Sequence, residues 1–381
     1  MGKLVVLIDS GFLKYSTRFV ARNRLGIDHR APLAELANNA NAQAVIYDVL
    51  AASLRSKLSS IEHNFGKIDR CIVCLDVGDS WRTKVTKTVR PDTGEESSIA
   101  YKGHRRTDDP EELAAIVQLN KYYMTAIKFL TDNSGIELVG HNGIESDDYM
   151  VILGQTYAKQ GNQVIVMSKD ADITQAVVSY DNGGFVAIMQ PQQHGGMTMV
   201  VDHGLRNKST ATDIFNMGQP MQPAMQQAIQ TANIVAPQYL LLEKNLNGDA
   251  SDDISPVMLR VSNGRNYKLT AKNLATIFDA IAATNAEGYV KYEDLYDNDK
   301  IRLILEHMHR LLFKHELGDI DMSWQTFYYN KFVENRKMVC INKAELGKLY
   351  DTVLTTAVEQ LRGITPTIAF PTWQVLQQLG M

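Results

Sequence analysis

The 381-residue sequence predicts an α/β fold, with a mostly parallel sheet flanked by helices and then a helical C-terminal domain. Over the first two thirds of the chain, continuous apolar runs of strand length alternate with segments whose apolar residues have helical spacing. This alternation is typical of parallel strands joined by helices. From residue 237 onward the pattern is almost wholly helical. Carboxylate residues also follow each of the first four apolar runs, so acids are predicted at the end of each of these strands.

The elements follow in order along the chain. Strands are predicted at 3–9, 70–76, 136–140 and 163–172, and GFVAIMQ and MTMVVDH are predicted to form a later hairpin or edge strands. Helices are predicted at 44–61, from about 109 to 130, and at 146–159. Asp109, Pro110 and Glu112 supply the cap, first-turn proline and third-position acid of the second helix. The predicted domains are therefore 1–255 and 256–381.

Two segments interrupt this pattern. Residues 79–109 are polar and basic with weak periodicity, whereas residues 204–236 are rich in Gln, Met and Pro. We expect the second segment to be an insertion or a loosely packed helical excursion. The tail TPTIAFPTWQVLQQLGM either packs on the body or docks onto a partner protein.

Composition indicates a soluble globular protein, with 45% hydrophobic and 22% charged residues. A net charge of -4 argues weakly against a nucleic-acid partner, although a basic strip and an acidic cluster can cancel in the sum. Three cysteines do not make a disulfide framework, and Cys71 and Cys74 on one strand are expected to pack as small apolar side chains. No apolar run has the length of a membrane span. We expect a cytoplasmic monomer.

Carboxylates follow four successive predicted strands. Because ligands bind at the carboxyl ends of parallel strands, we expect these acids to meet at one edge of the sheet. Their mutual repulsion destabilises the fold unless cations are bound. Oxygen-only ligands favour Mg²⁺, with Mn²⁺ as a substitute, and so many acids suit two ions about 4 Å apart. The acids are Asp9, Asp76, Glu145, Asp147, Asp148, Asp170 and Asp172, with Asp249 and Asp252 in a later acid-rich turn.

The basic segment points to a phosphodiester substrate. AYKGHRR places one aromatic residue among three cations, a composition suited to stacking a base and holding phosphates. By composition alone, a solvated loop is an equally good interpretation. The position of the segment, directly after the Asp76 strand and before a well-capped helix, favours function.

Six motifs, in order over residues 5–254, resemble those of the 5′-nuclease (flap endonuclease) superfamily with its PIN-like core, and especially its phage and bacterial members. The motifs are LIDS, CLDVGDSWR, YKGHRR, GIESDD, MSKDADITQ and GDASDDI. The resemblance implies a metal-dependent 5′→3′ exonuclease and flap endonuclease. Its expected substrates are branched or nicked DNA and RNA·DNA hybrids with 5′ ends or flaps, in primer removal, and a phage protein would act in the host cytoplasm.

The resemblance also implies roles for particular residues. In the helical arch (about 79–109), Tyr101, Lys102 and Arg105 face the threaded strand and the scissile phosphate, and Arg82 belongs to the same catalytic set. Asp249 and Asp252 lie where a DNA-binding helix–turn–helix variant begins, near residue 240. The first metal ion is held by Asp76, Glu145, Asp147 and Asp170, and the second by Asp172 and Asp249, with Asp9 and Asp148 close by, partly through water.

The chain departs from the family pattern in two places. Residues 204–236 lengthen the spacing between Asp172 and Asp249, and DDISPV stands where the family has N-I-P-G. The second departure puts duplex binding by that turn in doubt. Residues 256–381 carry no motif, and the helical C-terminal domain of phage ribonuclease H enzymes is the best analogy. A replication protein could bind the tail.

Two other functions stay open. A PIN-type ribonuclease acting on single-stranded RNA needs neither the basic segment nor the GDASDDI turn. A non-catalytic nucleic-acid scaffold needs no acids, yet none of the expected acids is missing. Cleavage of a 5′-flap in Mg²⁺ would distinguish a 5′-nuclease from both the ribonuclease and the scaffold.

Overall fold

The computed structural model describes residues 2–84, 89–91, 93–94, 101–103, 107–191, 197–210, 223–262, 265–313, 322–368 and 370–374. These residues form two compact units. The first comprises the described residues within Met1–Ser80, Thr107–Val235 and Lys348–Met381, and the second those within Trp81–Arg106 and Ala236–Gly347. None of the described helices is long and apolar enough to cross a membrane.

A mostly parallel sheet forms the centre of the first unit. Its strands are β1 (Leu4–Asp9), β2 (Arg70–Cys74), β3 (Glu137–Val139), β4 (Gln163–Met167), β5 (Val178–Ser179), β6 (Phe185–Pro191), β7 (Met197–Asp202) and β8 (Asn233–Val235). They run in the order β3-β2-β1-β4-β6-β7-β8, with β5 paired to β6. Neighbours from β3 to β6 in this order are parallel, whereas β7 pairs with β6 in an antiparallel hairpin. The predicted α/β fold is thus confirmed.

Helices cover both faces of this sheet. They are α1 (Ser10–Arg24), α2 (Leu33–Ala37), α3 (Ala42–Phe65), α4 (Pro110–Ser134), α5 (Ser146–Lys159), α6 (His203–Thr210), α7 (Pro223–Gln230) and α13 (Lys348–Gln360). Leu4, Val6 and Ile8 of β1 share one buried core with α3. Gly154 of α5 lies against Leu7 on the other face, since a Cβ there would be 3.7 Å from the Leu7 side chain. Alternation along β1 therefore buries both of its faces.

The 204–236 segment is packed more closely than its composition predicts. Leu205 of α6, Met225 and Ile229 of α7, and Ala232 between α7 and β8 belong to the same core as β1. β8 also adds a parallel strand beside β7. A loosely packed excursion is therefore the wrong description of these residues, because apolar residues spaced along the Gln- and Met-rich stretch reach the core.

The second unit is helical except for a short hairpin. Its elements are α8 (Pro237–Asn247), β9 (Arg260–Ser262), β10 (Arg265–Tyr267), α9 (Ala271–Ala282), α10 (Asn298–Phe313), α11 (Met322–Val339) and α12 (Lys343–Leu346). β9 and β10 pair in antiparallel fashion. A separate buried core joins α8, α9, α10 and α11 with Tyr101 from the basic segment. The helical second domain thus begins near 236, earlier than the predicted boundary at 256.

The described part of the C-terminal tail packs on the first unit. Phe370 is buried in its core, and the carbonyl oxygens of Phe370 and Pro371 accept hydrogen bonds from Arg55 and Tyr47 at 2.8 and 2.9 Å. The Glu137 carboxylate of β3 accepts hydrogen bonds from the backbone N–H groups of Arg362 and Gly363. Of the two interpretations of the tail, packing on the body therefore describes residues up to 374.

Candidate metal centre

Asp9, the last residue of β1, lies at the carboxyl edge of the sheet and caps α1. Its Oδ1 accepts a hydrogen bond from the Gly11 N–H at 2.7 Å, and its Oδ2 accepts one from the Ser168 hydroxyl at 3.0 Å. The residue is 8% exposed. Burial and the charge of Asp76 raise the pKa of Asp9, whereas these hydrogen bonds act in the opposite direction. A buried carboxylate with a like-charged neighbour is a group that a cation stabilises.

Asp76 follows β2 and lies beside Asp9 at the start of α5. Its Oδ1 accepts a hydrogen bond from the Ser146 N–H at 2.8 Å, and the Ser146 hydroxyl lies 3.4 Å from Asp9 Oδ1. A Cβ on Gly11 would be 3.1 Å from Asp9 Oδ1 and 3.6 Å from Asp76 Oδ2, so both carboxylates border one small space. The positive end of the α5 dipole offsets part of their charge.

The Glu145–Asp148 stretch follows β3 and opens α5, as the sequence predicts. Glu145 precedes the helix and is buried. Asp148 is fully buried, and its Oδ2 accepts a hydrogen bond from the Glu145 N–H at 3.2 Å. This contact caps the helix, so Asp148 has a structural function whether or not it orients a metal-bound water.

Asp147 is the centre of charge repulsion in this cluster. Although part of the residue reaches solvent, burial of its carboxyl group raises its pKa well above the usual range. The charges of Asp170, Asp9, Glu145 and Asp76 raise the pKa further, in that order of size. These five acids follow four neighbouring parallel strands, so the fold brings the other four close enough to disfavour ionisation of Asp147.

Asp170 and Asp172 follow β4 in a tight turn. The Asp170 N–H donates to the Ser168 hydroxyl at 3.1 Å, and the Asp172 N–H donates to Asp170 Oδ1 at 2.9 Å. Ser168 is fully buried and bonds both Asp9 and the Asp170 backbone, which holds the ends of β1 and β4 in register. Sequence reasoning missed Ser168, although a serine at the end of an apolar strand and before two acids was a usable signal.

The donors in this cluster fit a hard divalent cation. All of its titratable groups are carboxylates, and burial together with the charges of its four neighbours raises the pKa of Asp147. Mg²⁺ and Mn²⁺ prefer such oxygen ligands. Asp9, Asp76, Glu145, Asp147 and Asp170 are the predicted ligands that the ends of these strands bring to one edge of the sheet, and Asp172 follows in the turn after β4. Their assignment as ligands stays a prediction.

Asp249 and Asp252 lie in the second unit, in the turn after α8. Asp249 and Ile254 exchange backbone hydrogen bonds of 2.8 Å, and a Cβ on Gly248 would come within 2.2 Å of the Ile254 carbonyl oxygen, so only glycine fits there. Asp249 Oδ2 pairs with Lys244 at 2.5 Å. Burial opposes ionisation of Asp249, but hydrogen bonds from Lys244 and Ser251 outweigh it and lower its pKa. Joint ligation of a second ion with Asp172 stays a prediction.

Among the predicted arch residues, two are buried in the second unit. The Arg82 Nε donates to the Met338 carbonyl oxygen at 2.8 Å, and its guanidinium lies 4.7 Å from the centre of the Trp81 ring. Tyr101 is 5% exposed and belongs to the core of this unit. These contacts tie both residues to the second unit. The predicted roles of Arg82 at the scissile phosphate and of Tyr101 in facing the threaded strand stay predictions.

Lys102 and Arg105 are the other two predicted arch residues. The backbone N–H of Lys102 donates to the Asp252 carbonyl oxygen at 3.1 Å, which ties Lys102 to the acid-bearing turn. Its ammonium lies 4.9 Å from the Tyr101 ring centre. Arg105 lies outside the described residues.

A cleft of about 210 Å³ opens between α1 and α4, next to the acids. It is lined by Gly11, Lys14, Tyr15, Arg18, Leu33, Ile116, Leu119, Asn120 and Tyr123. Tyr15 is 60% exposed, and the Arg18 guanidinium lies 5.4 Å from its ring centre. The sequence signal for this surface was an aromatic residue between two cations, within ten residues after Asp9.

Comparisons with known proteins give one family match and several distant structural likenesses. Residues 37–205 match the family model of the 5′-3′ exonuclease N-terminal resolvase-like domain. No curated protein is significantly similar to the chain. Among solved structures, similar ones include the T5 D15 protein co-crystallised with metal ions (15% identity, TM-score 0.49, covering 93% of this chain and 100% of that one). T5 5′-exonuclease with bound divalent zinc ions matches at 14% identity and a TM-score of 0.47, covering 94% and 100% of the two chains.

A third similar structure is the bacteriophage T5 D15 flap endonuclease in a pseudo-enzyme-product complex with DNA and metal ions. It has 17% identity and a TM-score of 0.46, covering 93% of this chain and 100% of that one. At these identities and TM-scores the structural likenesses say nothing about function.

Proposed function

We propose that this chain is a metal-dependent, structure-specific 5′-nuclease, because its residues 37–205 match the family model of the 5′-3′ exonuclease N-terminal resolvase-like domain. Its proposed reaction is 5′→3′ exonucleolytic and flap-endonucleolytic hydrolysis of branched or nicked DNA and of RNA·DNA hybrids. A role in primer removal accords with these substrates. We further propose two Mg²⁺ ions as cofactors, with Mn²⁺ as a substitute.

One observation carries this proposal. The ends of four neighbouring parallel strands deliver acids to a single edge of the sheet, and the pKa of Asp147 is raised by burial and by the charges of four other carboxylates. Such a cluster is costly without cations. Divalent ions bound there supply charge neutralisation for the scissile phosphate and an activated water, so no protein nucleophile is needed.

The chain's own residues hold this cluster in place. Ser168 and Ser146 donate hydrogen bonds toward Asp9 and Asp76, and these keep the carboxylates oriented. The N-terminus of α5 adds positive potential at the same place. Because these donors are fixed before an ion arrives, the carboxylates need little reorganisation to bind it.

Residues of the α1–α4 cleft fit the nucleic-acid strand. The exposed ring of Tyr15 offers a face on which one base can stack, and Lys14 and Arg18 can hold the adjoining phosphates. Since the cleft begins at Gly11, a strand held there has a phosphate next to Asp9 and Asp76. This placement favours cleavage close to a strand end over cleavage within a duplex.

The test is incubation with end-labelled 5′-flap, nicked and RNA-primed duplexes, with and without Mg²⁺. We expect metal-dependent release of short 5′ products from all three. Asp147→Asn should reduce cleavage by on the order of a hundred-fold or more while binding survives, because it removes a proposed ligand without changing shape. Asp132→Asn, a charge loss at an exposed position of α4, is the matched control and should cleave normally.

Two results would count against the proposal. Hydrolysis of unstructured RNA in preference to the flap would favour a single-strand ribonuclease. Unchanged cleavage by Asp147→Asn would remove the carboxylate cluster from the mechanism.

A further inference from the structure

The hydroxyl of Tyr123 is a buried polar group without a partner. Tyr123 belongs to α4 and is 3% exposed, and its Oη makes no hydrogen bond with the residues that the structure describes. A hydroxyl buried in this way destabilises a folded protein. Its residue nevertheless lies where a ligand can meet it, because Tyr123 lines the cleft between α1 and α4.

Two cations line the same cleft. Lys14 and Arg18 lie four positions apart on α1, and both are half-buried. Among the residues that the structure describes, no carboxylate forms an ion pair with either cation. None of the described residues that line the cleft is acidic. The cleft therefore offers two cations that no carboxylate in its lining neutralises.

The Tyr123 hydroxyl stays a proton donor at neutral pH. Burial raises the pKa of Tyr123, and the nearby charges of Arg18 and Arg22 offset only part of that effect. The guanidinium of Arg22 is occupied, since it donates to three backbone carbonyl oxygens. Asn120, one helical turn before Tyr123, adds an amide to the lining. Each polar side chain of the cleft can thus donate a hydrogen bond to a ligand oxygen.

The cleft has the size of one strand end. Its volume of about 210 Å³ equals that of roughly seven water molecules, so it takes a phosphate group and its sugar rather than a run of nucleotides. Leu119 and Tyr123 are buried and form its floor. Gly11 also lines it, and a Cβ there would be 3.1 Å from Asp9 Oδ1. Only the length of this small cleft therefore separates a phosphate beside Tyr123 from the acids.

We propose that the cleft between α1 and α4 binds the 5′-terminal phosphate of the substrate strand, with Lys14, Arg18 and the Tyr123 hydroxyl as its donors. The proposal rests on the proposed nuclease function and identifies the kind of strand end that the protein prefers. A terminal phosphate carries about two negative charges and three acceptor oxygens, whereas a phosphate within the strand carries one charge and two free oxygens. Two cations and a hydroxyl above a closed floor match the terminal group.

The test compares binding of two short single strands that differ only at the 5′ end, where one has a phosphate and the other a hydroxyl. The full chain is used in EDTA, so the result does not depend on catalysis. Tyr123→Phe removes one hydroxyl, and Arg18→Gln removes one cation. Tyr122→Phe is the matched control, because the Tyr122 hydroxyl lies 3.5 Å from the Ala37 carbonyl oxygen and Tyr122 does not line the cleft.

We expect the wild type to bind the phosphorylated strand more tightly, by roughly ten- to a hundred-fold. Tyr123→Phe should reduce this ratio by roughly ten-fold, the effect of one hydrogen bond to a charged group, and Arg18→Gln by at least as much. Tyr122→Phe should leave the ratio unchanged. Equal binding of the two strands by the wild type, or an unchanged ratio in both cleft variants, would overturn the proposal.

Stability separates a ligand-binding hydroxyl from a structural one. Because the Tyr123 hydroxyl has no partner among the described residues, Tyr123→Phe should leave the melting temperature unchanged or raise it. A lower melting temperature together with an unchanged binding ratio would show that the hydroxyl serves the fold, and would count against the proposal.

The outcome is also separable from that of the nuclease assay. If the wild type cleaved nicked duplexes with a 5′-phosphate and with a 5′-hydroxyl equally well and bound the two strands equally, the nuclease function would stand and the assignment of the cleft would fall. If it cleaved no substrate, the proposed function would fall, but the binding ratio in EDTA would still decide whether the cleft recognises a terminal phosphate.

Discussion

Removing one charge from the acidic cluster should make the metal-free protein more stable. We expect Asp147→Asn to raise the free energy of unfolding in EDTA at neutral pH. Burial and then the charges of Asp170, Asp9, Glu145 and Asp76 raise the pKa of Asp147, so its ionised form is disfavoured in the folded state. Asparagine keeps the size of the side chain and can donate a hydrogen bond to a remaining carboxylate.

The size of the effect follows from Coulomb's law. Two unit charges about 6 Å apart repel by roughly 3 kcal/mol at an effective dielectric constant of about 20. Partial protonation relieves some of this repulsion in the wild-type protein. We therefore expect a gain of about 1–2 kcal/mol, or roughly 2–6 °C in melting temperature for a unit of this size.

The pH dependence has a definite sign. Because the folded-state pKa of Asp147 lies above that of the unfolded chain, the folded protein binds more protons, and wild-type stability falls as pH rises between the two values. The difference in the free energy of unfolding between Asp147→Asn and wild type should be absent below about pH 4, near the ordinary pKa of an aspartate. It should be largest above the raised pKa of Asp147.

Thermal melts from about pH 4 to 8, in EDTA and again in Mn²⁺, measure this gap. Mn²⁺ should stabilise the wild type more than Asp147→Asn and so reverse their order, because binding to the folded state adds stability. Asp132→Asn should follow the wild type throughout. A variant less stable than wild type in EDTA, or a gap independent of pH, would refute the idea that these carboxylates repel one another.

Three further outcomes are expected. Ser168→Ala removes a hydrogen bond that lowers the pKa of Asp9, so the acid limb of the pH–cleavage profile should move to higher pH, as a pH series in Mg²⁺ would show. Arg82→Ala should lower the free energy of unfolding in urea by about 2–4 kcal/mol, because the buried Nε of Arg82 donates to the Met338 carbonyl oxygen. Its single-turnover cleavage rate should be normal. Loss of cleavage with unchanged stability would instead support a catalytic role for Arg82. Glu137→Ala should release the segment after α13, which faster trypsin cleavage after Arg362 would reveal.

Local signals were enough to predict the sheet and the acids. Each of the first four strands is a continuous apolar run, and α5 begins at Ser146 and ends at Lys159, as its pattern predicts. These elements were predictable because burial on both faces leaves a strong mark on a parallel strand. The convergence of the acids then follows from the topology, since strands β3, β2, β1 and β4 are neighbours and parallel.

Features that depend on distant contacts could not be predicted. The Arg82 side chain bonds the Met338 carbonyl oxygen, 256 positions away, and no local pattern distinguishes that arginine from one facing solvent. In the same way, the segment after residue 348 returns to the first unit, where Glu137 of the third strand accepts hydrogen bonds from its backbone. A sequence motif identifies candidate residues, but burial in the folded protein decides which of them a substrate can reach.

The two groups of acids differ in a way that bears on how the ions bind. In the first unit, burial and then the charges of neighbouring carboxylates raise the pKa of Asp147, so a cation there would offset both effects. In the second unit, Asp249 already pairs with Lys244 at 2.5 Å, and its pKa is lowered. An ion at Asp249 must therefore compete with an ammonium that is covalently part of the chain. We therefore expect a divalent cation to bind more tightly at the first cluster than at Asp249.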